Sequence, residues 1–238
     1  MTSLSIVIPC KNEERYIGKL LDDLAQQSGI NNIPIYIADA NSTDNTLNVI
    51  RQKVDQYPYL TIQILPGGNV SYGRNKGASF VSTEYVVFID ADVRFYKTNT
   101  LVTSTSLLKS TGKRLLTCKL KSYSPDIRSK VAFYLYNKVH SLLIRKYPFA
   151  IGAYFFLRTI DFRTFGGFNV KSDNSEDFIF SQNFTPSEFI VLDHYIGQDD
   201  RRFKTIGYIG MLKHLLINLY NYIKHGKTNF VAKTGYWG

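Results

Sequence analysis

The chain has 238 residues, 44% hydrophobic and 20% charged, with 16 Gly and 7 Pro. That composition excludes a disordered or fibrous protein and suffices for one large α/β domain with a buried core. Lys and Arg outnumber Asp and Glu by 29 to 19, a formal charge of +10 that points to phosphate, nucleic acid or an anionic membrane as partner.

Leu4 to Pro9 is a β-branched run that predicts a strand. A helix follows in which Ile17, Leu20, Leu21 and Leu24 share one face, with Asn12 as its N-cap and Gly29 as its end. Ile35 to Asp39 predicts a second strand, and Ser42, Thr43 and Asp44 supply caps for a helix that buries Leu47, Ile50 and Val54. Leu60 to Leu65 reads as a third strand, Ser71 to Ser82 as a helix entered through Gly67-Gly68, and Tyr85 to Asp90 as a fourth strand. Beyond Asp92 the pattern predicts a helix over Asn99 to Lys109, a strand over Leu115 to Leu120 and an amphipathic helix within Lys130 to Lys146. A strand over Gly152 to Arg158, a helix over Glu176 to Phe184, a strand over Phe189 to Leu192 and a terminal helix over Ile206 to Lys224 complete the chain. Strands alternating with crossover helices predict a single α/β domain: a mostly parallel, Rossmann-like central sheet with helices on both faces, plus a C-terminal amphipathic helix.

Ligands of open α/β sheets bind beyond the carboxyl ends of the strands, so the residues closing each apolar run are the first candidates. Asp90-Ala91-Asp92 closes the fourth strand. In extended backbone, carboxylates at i and i+2 project from one face and can hold a hard divalent cation such as Mg²⁺ or Mn²⁺. The alternative is a capped turn with one solvated carboxylate. Asp39 closes the second strand ahead of the capping residues, where it can accept hydrogen bonds from a base or ribose. Gly73-Arg74-Asn75-Lys76-Gly77 sets two cations beside flexible backbone, a pattern suited to pyrophosphate oxygens.

These elements, in this order, resemble family 2 glycosyltransferases with the GT-A fold. The resemblance rests on Ser5 to Pro9 with Asn12-Glu13-Glu14, Asp39 to Thr46, Arg74 to Gly77 and Asp90-Ala91-Asp92. In the second half it rests on Gly152-Ala153, Phe165-Gly166-Gly167-Phe168 and Glu176-Asp177, so it covers residues 4 to about 184. It implies a nucleotide-sugar-binding half at residues 1–92, an acceptor-binding half at 93–204, and a basic helix and tail at 205–238. By this resemblance Pro9 and Glu13 line the nucleotide pocket, Asp39 meets the nucleobase, and Arg74, Asn75 and Lys76 lie near the donor phosphates and sugar. Asp92, with Asp90 beside it, would hold a divalent metal (Mn²⁺ or Mg²⁺) on the diphosphate, with His194 as a further ligand. Asp177 would be the general base of an inverting transfer from a UDP-sugar, with Glu176 and Gly167 on the acceptor side. Arg201 or Arg202 would reach the donor diphosphate. Two departures bear on the nucleobase contacts: Ala40 stands where a second carboxylate is common, and Asn41 where Gly is usual.

The positive charge is concentrated. Residues 109–148 carry ten bases and one acid, residues 201–238 carry seven bases and no acid, and the remainder is net acidic. The expected terminal helix lines up Leu212, Leu215, Leu216, Leu219 and Ile223 beside Lys213 and Lys224, and the helix within 130–146 sets Lys138 and Arg145 among Phe133, Tyr134 and Tyr136. Such helices suit an anionic leaflet, with a glycan or lipid-linked acceptor; the alternative is packing on the core with lysines reaching to solvent. Nucleic-acid binding is the competing reading of the charge, but it leaves Asp39, Asp90, Asp92 and Asp177 without a role, so no nucleic-acid partner is expected. A nucleotidyltransferase on a similar sheet is the other alternative. Cys10 and Cys118 read as thiols, no signal-peptide pattern is visible, and no apolar run approaches the roughly 18 residues of a spanning helix. The expectation is a cytoplasmic protein, either free or peripheral at the cytoplasmic membrane face.

Overall fold

The computed structural model describes residues 3–171, 175–207, 210 and 220. The first half runs β1 (Leu4–Cys10), α1 (Ile17–Ala25), β2 (Pro34–Asp39), α2 (Thr46–Gln56), β3 (Thr61–Pro66), α3 (Val70–Phe80) and β4 (Tyr85–Phe88). The second runs β5 (Arg94–Phe95), α4 (Thr100–Thr111), β6 (Leu115–Ser122), α5 (Ile127–Leu143), β7 (Phe155–Arg158), α6 (Thr159–Thr164), α7 (Glu176–Ser181), β8 (Phe189–Gln198) and α8 (Arg201–Ile206). All eight strands join one sheet in the order β3-β2-β1-β4-β7-β6-β8-β5. The first four pair in parallel. β7 enters antiparallel to both β4 and β6, β8 is parallel to β6, and β5 closes the edge antiparallel to β8.

β1 is apolar but for buried Ser5 because it lies mid-sheet with both faces covered. Its successive side chains supply two cores: Ile6 and Ile8 pack with Leu20, Leu24, Leu101 and Phe133, whereas Val7 packs on the opposite face with Ala78, Phe88 and Phe162. The second core is aromatic. Phe88, Phe162, Phe168 and Phe180 pack in tilted and edge-on pairs with centroids 4.9 to 5.3 Å apart, which ties β4, α6 and α7 together under the carboxyl ends of the parallel strands.

The structure corrects several local expectations. β4 ends at Phe88, and the Val93 N–H donates to the Asp90 carbonyl at 3.1 Å, so Asp90-Ala91-Asp92 is a turn and not the extended segment expected. Asn12 is not the cap of α1; it adopts φ 54° and accepts from the Thr43 N–H, stitching the loop after β1 to the loop after β2. β8 runs six residues beyond the predicted Leu192, because Asp193 and His194, which break the apolar pattern, occupy a bulge opposite Cys118 and Lys119. The predicted terminal helix lies mostly outside the described residues.

Candidate active site

Strand order reverses between β1 and β4, and beyond their carboxyl ends lies a cleft of ≈ 330 Å³. Pro9, Cys10, Lys11 and Glu13 line it after β1, Ala40 and Asn41 after β2, Gly68 to Val70 at the start of α3, and Asp90 to Asp92 after β4, with Arg201 from α8. Asn41 stands at φ 55°, a left-handed conformation that suits glycine and that Asn tolerates better than most other residues.

Arg201 crosses the cleft lining. Its two terminal nitrogens donate to the Glu13 carboxylate at 2.9 and 2.6 Å, and one of them lies 3.2 Å from Asp92 Oδ2. The guanidinium also sits over the Tyr16 ring. Glu13 is fixed in turn, its N–H donating to Thr46 Oγ1 at 2.8 Å. The Tyr123 hydroxyl donates to the Asp92 carbonyl at 3.1 Å; burial, then Asp92 and Asp199, push its pKa up. Asp199 accepts the Arg201 N–H at 2.7 Å at the start of α8, a contact that sequence reading missed because it depends on how the chain turns after β8.

Arg74, on α3, is 2% exposed. It donates to Asp90 Oδ1 at 2.7 Å with one terminal nitrogen and to Glu176 Oε1 with the other. Burial opposes its charge, and the carboxylates of Asp90 and Glu176 more than offset that, so its pKa is raised. Burial likewise raises Glu176, against the pull of Arg74. Asp177, the next residue on α7, accepts the Gly152 N–H at 2.8 Å on one oxygen and the Phe178 N–H at 2.7 Å on the other. One buried cation therefore links the turn after β4 to the helix that carries Asp177.

Other predicted site residues are placed differently. The Asp39 carboxylate accepts both the N–H and the hydroxyl of Ser42, at 3.0 and 2.5 Å, which makes it a cap of its own loop. Asn75 holds the Phe168 backbone at both its N–H and its carbonyl, pinning the turn in which Gly166 and Gly167 adopt φ 78° and 75°. A Cβ on Gly167 would fall 2.7 Å from Asn75 Oδ1, so that position requires glycine for packing as well as for conformation. Lys76 lies over the Phe80 ring one helical turn on. His194 meets Thr100 Oγ1 at 3.2 Å, and burial lowers its pKa; the structure does not bring it to Asp90 and Asp92. The side chain of Arg202 lies outside the described residues.

Among the described residues no group of three or more His, Cys, Asp or Glu side chains is arranged to hold a metal ion. Asp90 and Asp92 nevertheless offer hard carboxylate oxygens in the cleft lining, and cations of the Mg²⁺ type commonly take one or two carboxylates and complete their shell with phosphate oxygens and water. The donor set fits a cation brought with a diphosphate.

Residues 5–173 match the family model described as Glycosyl transferase family 2. The chain is 34% identical over 95 residues to 4,4'-diaponeurosporenoate glycosyltransferase of Staphylococcus haemolyticus, covering 38% of this chain and 24% of that protein. It is 24% identical over 233 residues to hyaluronan synthase of Pasteurella multocida, covering 98% of this chain and 21% of that protein. The chain thus spans about a quarter of these curated relatives. Its fold is similar to that of mannosyltransferase PcManGT from Pyrobaculum calidifontis, solved with GDP-Man and Mn²⁺, at TM-score 0.72 and 18% identity over 94% of this chain and 65% of that one. It is also similar to S. aureus TarS 1-349 with UDP-GlcNAc, at TM-score 0.65 and 19% identity over 83% of this chain and 58% of that one. With that family match across most of its length, the chain belongs to glycosyl transferase family 2.

Proposed function

We propose that this chain moves a sugar from a nucleoside diphosphate sugar, a UDP-sugar, to a hydroxyl of a glycan or lipid-linked acceptor by an inverting single displacement. The observation that carries this reading is the ion pairing of buried Arg74 with both Asp90 and Glu176, which links the cleft turn to the Asp177 helix. Donor complexes of similarly folded proteins, one with UDP-GlcNAc and one with GDP-Man and Mn²⁺, support a nucleotide sugar as ligand.

In this reading the nucleotide lies in the cleft between the loops after β1 and β4, with Pro9, Glu13 and Asn41 along it. Asp92 and Asp90 would hold the divalent cation, whose chemistry when bound is to neutralise charge on the departing diphosphate. Arg201 supplies a second positive charge in the same lining. Asp177 takes the proton of the acceptor hydroxyl. The Gly152 and Phe178 N–H groups orient its carboxylate, and each carboxylate oxygen keeps a further lone pair for that proton. A base on the face opposite the leaving diphosphate gives inversion in one step, the geometry that inverting glycosidases also require.

Asp177→Asn tests the assignment. Donor affinity, measured by calorimetry with Mn²⁺, should change by less than about twofold while turnover falls by roughly 10²- to 10⁴-fold. Turnover at the wild-type rate would remove Asp177 from the mechanism.

A further inference from the structure

α5 buries Ser129, Phe133 and His140, packs Tyr136 on the core, holds the Leu120 backbone through Asn137, and turns its opposite face outward. On that outer face Ile127 is 69% exposed, Tyr134 60%, Leu135 55% and Leu142 62%, with Val131 and Val139 between them. A surface helix of a globular domain puts such residues inward, so a row of six large apolar side chains along four turns of α5 is a face built for contact. Lys130, Lys138, Arg145 and Lys146 are exposed among them, Arg128 pairs with Asp126 at the start of the helix, and residues 127–146 include no acid. The bases are interleaved with the apolar row: Lys138, for example, lies over the Tyr134 ring, 5.6 Å from its centroid.

We propose that the outer face of α5 docks on an anionic lipid surface, with the aliphatic side chains among the acyl chains and the bases at the headgroups. Charge decides against the other occupants. A second copy seated face to face would set base against base, and so would the chain's own residues 201–238, which carry seven bases and no acid. A nucleic acid would satisfy the bases but gives no return on Ile127, Val131, Leu135, Val139 and Leu142, because single strands are held by stacking on aromatic rings. An anionic bilayer satisfies both components: apolar area enters the interface and each base nearby adds attraction to the leaflet. No helix among the described residues is long and apolar enough to cross a membrane, so α5 would lie on the surface. Its first turn is tied to the candidate active site, the Ser129 hydroxyl donating to Asp200 at 2.6 Å next to Arg201 of the cleft.

The docking face does not depend on the transfer reaction, and the two fail separately: a vesicle assay can be negative while a nucleotide sugar is still cleaved, and the reverse. The test is flotation of the full chain with vesicles of phosphatidylcholine alone and of phosphatidylcholine mixed with phosphatidylglycerol. The wild type should float with the mixed vesicles at low salt, be released as salt rises, and stay at the bottom with the neutral ones. Leu135→Glu combined with Leu142→Glu should lower the bound fraction by about tenfold or more. Circular dichroism and nucleotide binding should stay unchanged, since both side chains are exposed. Lys138→Glu should show a smaller loss. The proposal is overturned if the wild type does not float, or if the double variant floats as well as the wild type. It is equally overturned if single-stranded RNA strips the protein from the vesicles at equal charge, or if the same substitutions break a dimer that forms without lipid.

Discussion

Arg74 shows how a single residue sets up the candidate site. Its guanidinium is out of water, and its two carboxylate partners stand 16 and 102 residues away in sequence. Gly152 must lack a side chain, because a Cβ there would run into Arg74 Nη2. Removing one member of a buried ion group leaves the others uncompensated, at a typical cost of about 3 to 5 kcal/mol. Arg74→Met should therefore lower unfolding stability by that amount in urea titrations, and adding Glu176→Gln should restore part of it. A loss below about 1 kcal/mol would mean that the carboxylates find other partners or protonate freely. The cation itself was legible in the sequence. Its partners were not, since local pattern carries no information on which distant carboxylate folds against it, and a reading from spacing alone turned it toward phosphate.

At the scale of elements, the long apolar strands and amphipathic helices of the first half are those that the sequence reading places well. Their pattern is nearly continuous and their burial follows it, as in β1 and α1. The two-residue β5, the one-turn-and-a-half α6 and the bulge in β8 escaped because each is too short or too interrupted to show a period. These short pieces are held by polar contacts instead. Arg114, leading into β6, pairs with Asp161 of α6 and with Glu188 just before β8. The Thr185 N–H first, then Arg114, hold the Glu188 carboxyl at about 2, below its ordinary 4.5. A depressed carboxyl pKa contributes stability above the unfolded-state value, and that contribution is lost as pH falls through the interval from about 4.5 to about 2. Glu188→Gln should be less stable than the wild type at neutral pH and lose less on acidification across that interval, as followed by thermal denaturation at stepped pH. Parallel curves for the two proteins would contradict this linkage.

Over the whole molecule, the charge of +10 is a composite of a net acidic body and two basic stretches. The acidic body contains the cleft carboxylates Glu13, Asp90 and Asp92 and the separate Asp177. The first basic stretch contains α5, whose bases stand on the surface among exposed apolar side chains. One eight-stranded sheet carries both the parallel strands that frame the cleft and the mixed strands that support α7, so the proposed donor and base sides rest on the same sheet. In the proposed function, this site cleaves a sugar from a nucleoside diphosphate. The purified full chain can be incubated with a panel of nucleotide sugars, Mg²⁺ and candidate acceptor glycans, and the phosphorus-containing product identified by phosphorus NMR. One nucleoside diphosphate should be released for each sugar transferred, with no pyrophosphate; release of pyrophosphate in its place would rule out glycosyl transfer at this site.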